Sequence, residues 1–172
     1  MNEINHIILH TAASALRTKE GGYAVVHQDI ETVRDYHINH NGWNDIGYHY
    51  YIDKDGIVFQ GRPINEPGAH VRGANAHTVG ICVSGHGDLE DWNYEQKTGV
   101  ATLCADLMDE YILTTACLSG HREAKRYGGP SVVKTCPGLK VDMDEIRELV
   151  DKIRLTGEGR TGDTQFIAAV PG

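Results

Sequence analysis

Ten histidines and four cysteines among 172 residues put metal chemistry first among the readings of this chain. Imidazole is the commonest metal ligand and titrates near neutral pH. A hydrolytic zinc site needs about three donors, drawn from neutral imidazole, thiolate and carboxylate, with a fourth position open to water. Spacing does not select them. His37 and His40 stand three residues apart in a helix-like segment, His70 and His77 flank a loop, and there is no HExxH motif. Position says more, because sites are built at strand ends and in loops. His10 closes an Ile- and Leu-rich run, His121 follows the short run Cys117-Leu118-Ser119-Gly120, and Cys136 stands fifteen residues later among prolines and glycines. Each of the three, taken singly, also reads as an ordinary histidine or thiol satisfied by local packing.

The elements around these residues can be placed coarsely. Ile4 to His10 reads as a buried strand that ends at small residues 11–14. From Asp29, the positions Ile30, Val33, Tyr36 and His37 fall at helical spacing, and the segment stops near Asn41-Gly42. Tyr48 to Ile52 and Ile57 to Gln60 flank Asp53-Lys54-Asp55-Gly56, a hairpin signal. Val79 to Val83 is a further short strand, whose Gly80 predicts close approach by another segment. Val100, Leu103, Cys104, Leu107, Met108 and Tyr111 form one face of an amphipathic helix. Arg122 to Pro137 is a loop, and Asp142 to Glu145 resembles a capping box opening a last helix with Ile146, Leu149, Val150 and Ile153. Strands interspersed with helices predict a single α/β domain, a central mixed β-sheet flanked by helices, over residues 1–155. Residues 156–172, with four glycines, read as a tail.

Composition excludes several functions. A chain of 18.9 kDa holds one domain with a proper core. It has no run of the roughly 18 apolar residues that a spanning helix requires, so no membrane partner is expected. Sixteen basic against twenty-four acidic side chains, a net charge of −8, argue against a nucleic-acid partner held through its phosphates. Without a CxxC pair, the thiols are expected to be reduced, with Cys82, Cys104 and Cys117 serving as small core hydrophobes. The N-terminus lacks the basic start and apolar core of a secretory signal, so synthesis in the cytoplasm is expected.

Five segments carry a resemblance. Gly42-Trp43-Asn44-Asp45-Ile46-Gly47-Tyr48-His49-Tyr50, Pro67-Gly68-Ala69-His70, the stretch from Asn75 to Ile81, Gly120-His121-Arg122-Glu123 and Lys134-Thr135-Cys136-Pro137-Gly138 resemble, in this order, the zinc-dependent N-acetylmuramoyl-L-alanine amidase family that includes the peptidoglycan recognition proteins. Within it, the short chain and a cysteine as third ligand look like the phage lysozyme-amidases of T-odd coliphages.

The resemblance implies zinc held by His10, His121 and Cys136, with Tyr48 and Lys134 as the catalytic pair. It implies bacterial peptidoglycan as substrate, cleavage between the lactyl group of N-acetylmuramic acid and L-alanine, a monomeric enzyme, and action on the cell wall after release from the host cytoplasm. His70, Asn75 and Trp43 match positions bordering the substrate groove. From the residues alone, Tyr48 is a strand aromatic, Lys134 a solvated loop cation and Trp43 as much a core anchor as a groove residue. Two other activities stay open at this point, a cytosolic muropeptide-recycling amidase and a non-catalytic peptidoglycan-binding module. Phage RNA polymerase, which the coliphage relatives also bind and inhibit, is a further partner implied by the likeness.

Overall fold

A computed structural model describes residues 3–130, 133–160 and 167–168. In chain order the elements are β1 (His6–Thr11), β2 (Ala15–Arg17), β3 (Tyr23–Val25), α1 (Ile30–Asp35), β4 (Tyr50–Ile52), β5 (Val58–Gln60), β6 (Thr78–Val83), α2 (Tyr94–Glu110), β7 (Leu118–Gly120), α3 (Met143–Thr156) and β8 (Ile167–Ala168). Six strands form one sheet in the order β7-β1-β6-β4-β5-β8. Strands β7, β1, β6 and β4 are parallel, and β5 runs antiparallel to β4, so the sheet is mixed.

Strand β1 is buried at every position, as a central strand covered on both faces must be. Successive side chains point to opposite faces. Ile7 and Leu9 enter the main core with Val100, Leu103 and Leu107 of α2 and Ile146, Val150 and Ile153 of α3. Ile8 packs on the other side with Val71, Ala74, Ala124 and Tyr127. His10, two residues on from Ile8, shares that second face. A third cluster seats α1 through Ile30 and Val33 on Tyr51 and Cys82. Fully burying one Leu or Ile contributes about 1.5–3 kcal/mol, so the two long helices weld the strands whose ends carry the histidines.

Four sequence expectations change in detail. The segment 29–41 is not one α-helix, because a π-helical turn, Tyr36–His40, follows α1 and places His37 in the interior. The capping box belongs to α2, where the Asn93 side chain and the Gln96 side chain each accept the other residue's backbone N–H. Asp142 caps α3 through Asp144 and Glu145, but the Glu145 carboxylate turns to Lys97 at 2.8 Å instead of back to the cap. Strands β2 and β3 form a separate antiparallel ribbon that hydrophobic patterning gave no sign of, since its residues are mostly exposed. Finally, part of the tail is an edge strand, with β8 pairing in parallel with β5; residues 161–166 and 169–172 lie outside the described residues.

Candidate metal centre

Strands β1 and β7 run parallel with Leu9 opposite Gly120, and the His121 N–H donates to the Leu9 carbonyl at 3.1 Å. The next residue along each strand is a histidine. The rings of His10 and His121 therefore stand side by side beyond the carboxyl ends of the strands, with centroids 4.7 Å apart. Open sheets of this kind hold ligands at that edge.

Cys136 reaches the pair on a loop fastened at several points. The Arg122 N–H donates to the Cys136 carbonyl at 2.7 Å, and the Arg122 guanidinium donates to the carbonyls of Thr135, Gly138 and Val141. Asp88 grips the same loop, accepting from the Thr135 hydroxyl at 2.9 Å and from the Leu139 N–H at 2.8 Å. Gly138, at φ 134°, passes so close to Gly87 that an added Cβ would lie 2.0 Å from the Gly87 carbonyl carbon. Glu123 accepts from the Gly120 N–H and pairs with Arg147, and the Tyr127 hydroxyl donates to the His121 carbonyl at 2.6 Å, so the His121 turn is equally fixed.

The structure thus brings His10, His121 and Cys136 together, with one ligand atom from each all lying within 4.8 Å of one another. His10 turns Nδ1 toward the Cys136 sulfur at 3.7 Å. Burial, then the neighbouring His70, His121 and Lys134, hold His10 well below the ordinary imidazole range. Burial and the Lys134 charge lower His121 to about 4. Both rings are neutral at physiological pH, as ligands must be. Burial pushes the Cys136 thiol up to about 11, so thiolate here requires a cation to replace its proton. Two neutral imidazoles and one thiol suit zinc, a borderline-soft ion with no geometric demand of its own.

Tyr48 lies against this cluster, its ring centroid 5.2 Å from that of His10 and 5.6 Å from that of His37. Burial, with the thiols of Cys82 and Cys136 nearby, holds its phenol well above the usual tyrosine range. It remains a hydrogen-bond donor. Lys134 is exposed and lines a cavity of about 610 Å³ together with His121, His70, Arg72, Tyr127 and Pro130. A second hollow of about 320 Å³ opens beside Tyr48, between Ser14, Gln28, Tyr36 and His37.

The three groove candidates have different fates. His70 lines the cavity, yet it is buried and both ring nitrogens have protein partners. Asn75 folds its own loop, its Oδ1 accepting from the N–H groups of His70 at 3.0 Å and Val71 at 2.8 Å. Trp43 packs on His37 at 4.7 Å and is absent from the lining of both hollows. The rings of His37 and His49 each accept a backbone N–H, from Gly47 and Gly80 respectively, and so brace the fold. Asp88, Thr78 and Tyr127 were not singled out in the sequence. Only the adjacency created by the sheet identifies them.

The profile of a family described as N-acetylmuramoyl-L-alanine amidase matches residues 1–139. The chain belongs to this amidase family. Its relatives within the family include peptidoglycan-recognition protein SC1a of Drosophila melanogaster, 32% identical over 142 residues, covering 82% of this chain and 70% of that protein. An endolysin of Klebsiella phage KP32 is 29% identical over 134 residues, covering 75% and 82% respectively. Among solved amidases, N-acetylmuramoyl-L-alanine amidase LysC from Clostridium intestinale superposes with a TM-score of 0.71 at 28% identity, over 87% of this chain and 86% of that one.

Proposed function

We propose that the chain is a zinc-dependent N-acetylmuramoyl-L-alanine amidase of the endolysin kind, which hydrolyses the amide joining the lactyl group of N-acetylmuramic acid to L-alanine of the stem peptide. The observation that carries this reading is the meeting of His10, His121 and Cys136, with Tyr48 beside them and His121 itself lining the cavity that Lys134 lines. A complete donor set beside a cavity is what metal-assisted hydrolysis requires, and it supports the enzyme over a binding module.

Zinc in this site would supply a water molecule acidified to a pKa of roughly 7 and a Lewis acid for the carbonyl. The chain's own residues do the rest. Arg72 and Lys134 give the cavity two cations and no carboxylate among its lining residues, which favours the acidic ends of a peptide. Val71, Tyr127 and Pro130 supply apolar walls that exclude water. The Lys134 ammonium meets the negative charge that grows on the scissile carbonyl oxygen, and removing one such donor typically costs about 3–4 kcal/mol of barrier. Tyr48, kept protonated, donates a hydrogen bond that orients the attacking water.

The test is mass analysis of muropeptides after the purified, zinc-loaded chain acts on sacculi. Stem peptides with a new alanine N-terminus are expected. Release of reducing sugar without new amines would place the cut elsewhere. Turnover of soluble fragments alone would favour recycling, and binding without any cleavage would favour a recognition module.

A further inference from the structure

His10 presents Nδ1 to Cys136, so that nitrogen must be bare to act as a ligand, and in a neutral imidazole the proton then sits on Nε2. A buried N–H needs an acceptor. His10 is 2% exposed, and its Nε2 meets His70 Nδ1 at 3.0 Å. For His70 Nδ1 to accept, its own proton must lie on Nε2, which meets Thr78 Oγ1 at 3.2 Å. The Thr78 hydroxyl donates onward to the Ala74 carbonyl at 2.9 Å, a group that can only accept. One end of the chain thus dictates every proton in it.

We propose that His70 and Thr78 are positioning residues that fix His10 in the tautomer and orientation that bares Nδ1 for the metal, an inference that rests on the zinc reading above. The fold is shaped around this relay. Gly80 of β6 leaves the slot in which the His70 ring lies, and a Cβ there would come within 2.5 Å of the His70 Cγ. Asn75 holds the His70 backbone from the other side. The resemblance motifs Gly68-Ala69-His70 and Asn75 to Ile81 therefore acquire one shared task, even though neither contributes an atom to the three-donor cluster. Metal-bound histidines commonly hand their second N–H to such a partner, and losing it typically weakens metal affinity about 10- to 100-fold.

Three variants of the full chain test the relay: His70→Leu, which offers no acceptor; His70→Asn, whose Oδ1 takes the place of Nδ1; and Thr78→Val, which removes the hydroxyl without changing the volume. Zinc affinity is read by competition with a chromophoric chelator, and imidazole tautomers are read in the zinc-free protein by nitrogen-15 NMR. The expected result is a single Nε2–H tautomer of His10 in the parent chain. His70→Leu should bind zinc about 10- to 100-fold more weakly, His70→Asn should recover most of the loss, and Thr78→Val should fall between them. A His10 protonated on Nδ1 in the parent chain overturns the relay. So does an affinity of His70→Leu within twofold of the parent's, with the proposed function left standing. A merely structural role for His70 predicts that His70→Asn is as poor as His70→Leu, which also overturns it. A parent chain that takes up no zinc refutes the proposed function and this inference with it.

Discussion

At the scale of single residues, the proposed function divides the site into groups that would hold a metal and groups that would serve the reacting amide, and the division can be tested by substitution. Cys136→Ser keeps the loop contacts made by Arg122 and Asp88 but replaces the soft donor, so zinc uptake and hydrolysis are both expected to vanish. Lys134→Ala touches no donor atom. Bound zinc should stay at about one per chain while turnover falls by roughly 10²–10³, the usual cost of one charge-stabilising donor. Loss of zinc in the lysine variant would show that Lys134 shapes the site itself. The buried structural histidines make a separate claim. His49 Nδ1 accepts the Gly80 N–H at 3.0 Å while its Nε2–H donates to the Glu66 carbonyl at 2.9 Å, an arrangement only the neutral ring can adopt. Burial, assisted by Arg62, lowers its pKa below 6.5 in the folded state. The unfolded chain therefore takes up the proton first as the pH falls. The stabilisation is complete above about pH 6.5 and is lost progressively below it. Denaturant midpoints of the zinc-free chain should drop between pH 7.5 and 5. His49→Asn, which keeps the acceptor and cannot titrate, should be less stable at pH 7.5 but show a shallower drop; an unchanged slope would remove His49 from the account.

Elements explain how residues 10, 121 and 136 meet, and why only part of this was legible. The apolar run ending at His10 and the helix stripes of α2 and α3 are strong periodic signals, because they record burial, and the structure returns them. The adjacency of β1 and β7 is not written in either strand. It follows from the parallel register that sets Leu9 opposite Gly120, a tertiary choice across more than a hundred residues. The π-helical turn, the β2–β3 ribbon and edge strand β8 were missed for a similar reason, since two or three residues of strand or an interrupted helix leave no period to read. Motif likeness supplied the ligand set; the sheet supplied the cause. The loop bearing Cys136 is the least self-sufficient piece, as its described residues 133–142 belong to no helix or strand and are held by Arg122 and Asp88. Asp88→Ala removes two hydrogen bonds from that loop without entering the core. Zinc affinity is expected to fall about 10-fold or more, the usual effect of disturbing a ligand's support, while the thermal midpoint of the zinc-free chain moves by only a few degrees. Were both to collapse together, Asp88 would be a folding residue and the loop would not be separately held.

For the whole molecule, charge sets the last question. The net charge of −8 opposes approach to an anionic cell wall, whereas the described cavity carries Arg72 and Lys134 and no acidic lining residue. These two fields act over different distances. The overall repulsion extends tens of ångströms at low salt and is screened to a Debye length of about 10 Å at 0.1 M. Contacts inside a cavity of about 610 Å³ lie within that length and survive. Added salt should consequently remove repulsion sooner than it removes binding. Hydrolysis of sacculi, measured as kcat/KM from about 10 to 150 mM sodium chloride, is expected to hold steady or rise slightly. Recognition by a broad basic surface would instead give a fall of ten-fold or more over the same range, as counterion release demands of proteins that hold polyanions through many contacts. Arg72→Ala separates the local term from the global one. Its loss should raise KM for a soluble stem-peptide fragment at every salt concentration, leaving the slope of the salt dependence on sacculi nearly unchanged. A slope that steepens or inverts in this variant would mean that the cavity cations, and not the −8 of the chain, govern the encounter.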